Sequence, residues 1–166
     1  MGYSTDNRKW PANECRLKLN SPAWDPGWTR KTRSAMAAWT NAGAQFKFVE
    51  DASASNDVAA YDLSRWNGWI AMTYTRPQPQ GSSLVSAQIL LNLYYEWDPA
   101  HPIVQHTDAG GPYDLETVLT HELGHVLHLD DDAQQGSNTV MRPTIKPGSQ
   151  RQIAADDITG IRYLYP

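Results

Sequence analysis

His121 and His125 stand four residues apart in a stretch whose apolar members, Leu115, Val118, Leu119, Leu123, Val126 and Leu127, recur at helical spacing. No other feature constrains the fold as tightly. The stripe predicts a helix with one face in a core, and on that helix the two imidazoles lie one above the other. Gly111-Pro112 breaks the chain ahead of it, Asp114 falls at the N-cap, and Glu116 enters the first turn, where a carboxylate suits the helix dipole. Two neutral imidazoles so placed can hold one Zn²⁺, and Glu122 beside them can act as general base toward a water there. The plainer alternative is an amphipathic helix with solvated histidines.

An open zinc site takes three protein ligands. Downstream candidates for the third are His128, Asp130, Asp131 and Asp132. On an unbroken helix His128 would share the histidine face but lie about 10 Å beyond His121 along the axis. Two imidazoles that far apart cannot both reach one ion through bonds of about 2.0 Å. Asp131 would face the wrong way on a straight helix, and becomes a ligand only if the chain turns sharply near His128.

The run His121-Glu122-Leu123-Gly124-His125-Val126-Leu127-His128-Leu129-Asp130-Asp131 resembles the HExxHxxGxxH signature of metzincin zinc endopeptidases, in the variant ending in Asp found in snapalysins. The resemblance implies His121, His125 and Asp131 as metal ligands and Glu122 as base. The departure is His128, which occupies the slot of the glycine where the chain turns. Histidine tolerates positive φ better than β-branched residues do, so His128 is expected as the turn residue, with a ligand role as the alternative.

Two further segments resemble the matrixin branch. Thr139-Val140-Met141-Arg142-Pro143 is similar to the methionine turn beneath the zinc, with Pro143-Thr144-Ile145 as a wall of the specificity pocket. Ala155 to Tyr165 is similar to the last helix, where Ile158, Ile161, Leu164 and Tyr165 form a stripe and Asp156-Asp157 occupy the helix start. The resemblance implies that one of these aspartates holds the backbone under Met141 and the other anchors the N-terminal segment. Simple helix capping is the alternative.

The rest of the chain fits this frame. Arg16 to Leu19 alternates as a first strand; Trp28, Thr32, Ala35, Met36, Trp39 and Ala42 mark a long helix between Pro26 and Gly43. Phe46–Val49, Val58–Leu63, Trp69–Tyr74 and Val85–Leu93 read as further strands, with Arg76–Ser83 as a surface loop. The resemblance then implies an α+β, metzincin-like fold: a twisted, mostly parallel five-stranded sheet with an antiparallel edge strand, two long helices, and a small C-terminal subdomain with one helix. Residues 1–166 would form a single catalytic domain, upper part about 1–128 and lower part about 129–166. Substrate is expected extended beside Val85–Leu93, with Ala87, Ile89, Pro143 and Ile145 as contacts and Leu119 or Val118 helping to wall the pocket. Tyr94, Tyr95 and Trp97 are candidate cleft residues, with core burial the alternative, favoured for Trp97.

Composition bounds the remainder. With 166 residues, 40% of them hydrophobic, and seven tryptophans, the chain can bury one good core. A net charge of −4 without a basic block argues against nucleic acid and anionic membranes, and no apolar run is long enough to span a bilayer. Cys15 is the single cysteine, which excludes an internal disulfide, and it lacks the surroundings of a zinc-blocking prosegment cysteine. The Met1-Gly2-Tyr3-Ser4 start has no signal-peptide core. The chain is therefore expected to be a mature, monomeric, secreted domain, with secretion implied by the resemblance alone. His101, His106 and Asp108 raise a second metal site, Ca²⁺ included, without a matching spacing. Two functions are expected: a zinc endopeptidase acting on proteins or peptides, or an inactive zinc-containing binding module of the same fold.

Overall fold

A computed structural model describes residues 3–19, 26–65, 68–100, 107–108, 110–132 and 139–166. After a 3-10 turn at Pro11–Asn13, the elements run β1 (Glu14–Leu19), α1 (Pro26–Thr40), β2 (Lys47–Glu50), β3 (Asp57–Tyr61), β4 (Ala71–Pro77), β5 (Leu84–Asn92), the two-residue strands β6 (Trp97–Asp98) and β7 (Tyr113–Asp114), α2 (Leu115–Val126) and α3 (Ala155–Leu164).

The main sheet has five strands in the order β2-β1-β3-β5-β4. The first four are parallel, and β4 pairs antiparallel to β5 at the edge. This is the α+β arrangement expected from the resemblance. One expectation must be corrected. The strand beside the site is not Val85–Leu93 but β4, because β5 has β3 on one side and β4 on the other. Ala87 and Ile89 pair with Thr75 and Thr73 of β4, Ile89 pairs also with Val58 of β3, and both side chains are buried. Neither backbone nor side chain is left for a substrate, so they are withdrawn as contacts. Strand β4 also runs further than expected, taking in Arg76 and Pro77, with a register shift between those two.

The polar side chain of Asn92 fixes where β4 starts. Fully buried at the end of β5, it donates to Trp69 O (2.8 Å) and accepts from the N–H groups of Leu63 (3.0 Å) and Tyr94 (3.1 Å). A buried amide with every group partnered pins three loops together.

Helices α1 and α2 pack on the sheet and on each other. Trp28, Ala35, Met36 and Trp39 form the buried face of α1, and Trp39 Nε1 donates to Thr120 O at 2.8 Å. Asp114 caps α2 as expected, accepting from Thr117 N at 2.8 Å. The helix is not one-sided, however. Every residue from Leu115 to Val126 except Glu116 and His125 is buried, because α1, β4 and the segment around Met141 cover it from different directions. At its far end Trp10 Nε1 donates to Val126 O (2.8 Å), supplying one of the last-turn carbonyls with a partner.

Candidate metal centre

On α2 the rings of His121 and His125 lie 4.6 Å apart, nearly perpendicular, with their Nε2 atoms 3.1 Å from each other. Each ring is oriented from behind. Nδ1 of His121 donates to Val140 O and Nδ1 of His125 donates to Leu129 O, both at 2.9 Å. Carbonyls only accept, so Nδ1 carries the proton in both rings and the Nε2 lone pairs face one another.

The helix then ends abruptly. Leu127 is the C-cap, His128 adopts φ 66°, and the chain reverses. Leu129 N donates to Gly124 O (3.0 Å) and His128 N to His125 O (3.0 Å), which together form a Schellman closure with histidine where glycine is usual. Left-handed backbone costs a non-glycine residue about 1–2 kcal/mol. The expected turn therefore falls at His128, and its side chain points away from the other two histidines. Nδ1 meets Asp6 Oδ1 at 2.8 Å and Nε2 meets Thr75 Oγ1 at 2.7 Å. With both nitrogens engaged, His128 does not join the cluster as the alternative ligand.

The reversal carries Asp131 back over the rings, its Oδ1 3.5 Å from His121 Nε2 and 3.4 Å from His125 Nε2. A tetrahedral Zn²⁺ with bonds of about 2.0–2.1 Å needs donors roughly 3.3–3.4 Å apart. The triangle of 3.1, 3.4 and 3.5 Å edges matches the spacing that three donors to such an ion would have. The electrostatics agree. Burial, then the neighbouring His125, hold His121 down at about 4, so it stays neutral. Burial also opposes charge on His125, but Asp131, Glu122 and Leu129 O outweigh it and draw its pKa up; the bond to His125 in turn lowers Asp131. Among the described residues no other group of three such side chains converges. His101 and His106 lie outside the described residues, and Asp108 accepts from Tyr113 Oη at 2.7 Å.

Glu122 points into the same space from the next helical position. It is buried, and that burial raises its pKa, against the Thr73 hydroxyl, which donates to Oε2 at 2.5 Å. Thr73 was not foreseen, and no local signal could have named a partner 49 residues away.

Beneath the rings, Asp157 is the aspartate of the pair that holds the methionine turn. It accepts from Val140 N (2.9 Å), Met141 N (3.4 Å) and Ala154 N (2.7 Å), the last closing the start of α3. Asp156 lies half-buried in that first turn. Asp132, one of the downstream ligand candidates, is buried: its N–H donates to Met141 O (2.7 Å) and its carboxylate accepts from Thr139 Oγ1 (3.2 Å). Met141 presses on Gly124, in the helical turn between the two histidines.

A cleft of about 540 Å³ opens over this constellation, with residues 68–75 on one wall and Pro143 and Ile145 on the other. Leu119 and Val118 are fully buried and do not reach it. Tyr94, Tyr95 and Trp97 do not line it either: Trp97 is in the core edge-on to Trp28, while the Tyr95 hydroxyl accepts from Gly68 N behind the wall.

Comparison with known proteins bears on the family. A 53-residue stretch is 40% identical to Metalloendoproteinase 1-MMP and 43% identical to Metalloendoproteinase 2-MMP of Arabidopsis thaliana, covering 31% of this chain and 14% of each relative. Metalloendoproteinase 1 of Glycine max is 43% identical over 54 residues, 32% of this chain and 17% of its own length. The match thus spans under a fifth of these curated relatives. The profile of the matrixin family, by contrast, matches residues 15–166, nearly the whole sequence, and the chain belongs to that family.

Proposed function

We propose that this chain is a zinc-dependent endopeptidase that hydrolyses peptide bonds of proteins. One observation carries the reading: two lone-pair-bearing Nε2 atoms and a carboxylate oxygen converge at metal-ligand spacing beside a buried glutamate, on the floor of an open cleft. His121, His125 and Asp131 would hold the ion. When bound, Zn²⁺ supplies a Lewis acid that acidifies water and polarises a carbonyl. Glu122, oriented by Thr73, accepts the proton of the attacking water and returns it to the departing amine nitrogen. Its burial, which favours the protonated form, suits a group that must hold a proton between those two events.

The substrate lies extended along the outer edge of β4 and pairs with its backbone. Pro143 and Ile145 wall a pocket for an apolar side chain. A cleavage profile that favours acidic residues after the scissile bond would contradict that pocket. Residues 1–166 act as one catalytic domain, with about 1–128 above the cleft and about 129–166 below it. The family resemblance supports a secreted enzyme, and recovery of the chain from culture medium rather than cell lysate checks this.

The inactive-module alternative requires a fourth protein ligand, and His128 is turned away to Asp6 and Thr75. Zinc analysis and a peptide-cleavage assay on wild type and Glu122→Ala decide between them. Cleavage lost in the variant with zinc retained supports the enzyme. Zinc bound by a wild type that cleaves nothing overturns it.

A further inference from the structure

His128 departs from the family pattern, and its surroundings are built rather than incidental. Residues 3–9 run as a strap across the ligand turn. Tyr3 stacks on Tyr163 of α3 at 5.8 Å, Ser4 O accepts from Asp130 N at 2.8 Å, and Thr5 bridges to Leu129. Further on, Lys9 N donates to Ser82 O at 2.8 Å, so the strap is fastened at both ends of its crossing. In the middle Asp6 makes a tight turn, in which Asn7 takes φ 63° and Arg8 returns its N–H (3.1 Å) and guanidinium (2.9 Å) to the Asp6 carboxylate. That turn presents Asp6 Oδ1 to His128 Nδ1, while Nε2 on the far side of the ring meets the Thr75 hydroxyl of β4. One imidazole therefore joins three separate elements: the strap, the ligand turn and the edge strand.

Its position in the turn makes the junction relevant to the metal. His128 is preceded by His125, three residues back, and followed by Leu129, whose carbonyl orients His125, and by Asp131. Any displacement of His128 displaces the Leu129 carbonyl and the Asp131 carboxylate together. Thr73, on the same side of β4 as Thr75, holds Glu122. The edge strand is thereby registered to the base through one threonine and to the ligand turn through the other.

We propose that His128, with Asp6 and Thr75, is a positioning unit that clamps the N-terminal strap and the edge strand onto the ligand turn and so sets the placement of Asp131 and His125 for the metal. This rests on the zinc reading above, and acts on it through geometry alone.

The test uses two readouts that do not require turnover. One is zinc affinity, measured by competition with a chromophoric chelator. The other is the rate of tryptic nicking after Arg8 or Lys9, which reports the strap lifting. His128→Gly restores the residue that tolerates this backbone best, so it folds. Asp6→Ala removes the acceptor, and Thr75→Val removes the hydroxyl while keeping shape and strand preference. Each is expected to weaken zinc about tenfold, the lower end for groups that orient ligands, and to speed nicking by a similar factor. Thr75→Ser, which keeps the hydroxyl, stays within about twofold of wild type. The His128→Gly/Asp6→Ala double variant is no worse than the weaker single, because both break the same unit. Wild-type zinc affinity and nicking in His128→Gly overturn the proposal, as do losses that multiply in the double variant or a Thr75→Ser as impaired as Thr75→Val. A wild-type chain that binds no zinc overturns both this and the parent reading, whereas tight zinc with unaffected variants overturns this one alone.

Discussion

Gly124→Ala should destabilise the protein, against the usual direction of that change in a helix. Replacing an interior helical glycine normally gains about 0.8–1.0 kcal/mol from backbone propensity. Here the added methyl would overlap Met141 Sδ, come within 3.0 Å of Met141 Cε, and stand 3.1 Å from Trp39 Cζ2. Both neighbours are buried, so the thioether cannot swing into solvent. Overpacking of this kind costs about 1–3 kcal/mol, which exceeds the propensity gain and leaves roughly 1 kcal/mol of net loss. For a chain of this size that lowers Tm by about 2–4 °C. Differential scanning calorimetry on the chelator-treated protein measures it without a contribution from metal binding. Met141→Ala alone opens a cavity and costs about 2–5 kcal/mol. In the double variant the new methyl fills part of that cavity, so the two changes should show a coupling of about 1–3 kcal/mol in the stabilising direction. A Gly124→Ala protein with a Tm raised by 2–4 °C, or strictly additive effects, would refute the packing argument.

Asp157→Ala leaves the N–H groups of Val140, Met141 and Ala154 without their acceptor, and urea unfolding should report a loss of about 3 kcal/mol; a loss under about 1 kcal/mol counts against its role under the methionine turn. Glu116 has its pKa lowered, since burial, which alone would raise it, is outweighed by donation from Ser34 (2.6 Å) and Lys31 (3.0 Å). A lowered carboxylate stabilises above its unfolded value, 4.5, and that contribution is lost as pH falls through the folded pKa. Glu116→Gln should therefore flatten the fall in Tm below about pH 4.5, and an unchanged slope rejects the link. Cys15 is fully buried, and burial pushes its thiol far up, so a disulfide-exchange reagent should label it only after denaturant is added. Rapid labelling of the native protein would contradict that placement.

What the sequence made legible was local. Asp114, Glu116 and the Leu115-to-Leu127 stripe belong to one continuous helix, so capping and periodicity locate it without knowledge of the rest. The turn at His128 was readable because Asp131 comes back over His121 and His125 only if the chain reverses there. What escaped were relations between distant segments. Val85–Leu93 alternates polar and apolar residues, and that pattern reports which face is buried, not whether the strand has a free edge; Ser86 and Gln88 are half-exposed on an interior strand. Asp6 meets His128 across 122 residues, and Thr73 meets Glu122 across 49, distances over which spacing carries no information. Asp132 looked like one of three interchangeable acids, and only the return of the chain past Met141 separates it from Asp130.

Among the described residues, the outer side of β4 pairs with no other strand, which leaves a row of unspent backbone donors and acceptors. Such a row welcomes a second copy of the protein as readily as a peptide, and uncapped edges seed aggregation. Pro77, which has no N–H to offer, and the slip in register beside Arg76 close the row at one end, leaving Ala71 to Thr75, roughly 17 Å of ladder at about 3.4 Å per residue. A short guest is admitted; a long sticky sheet has nowhere to grow.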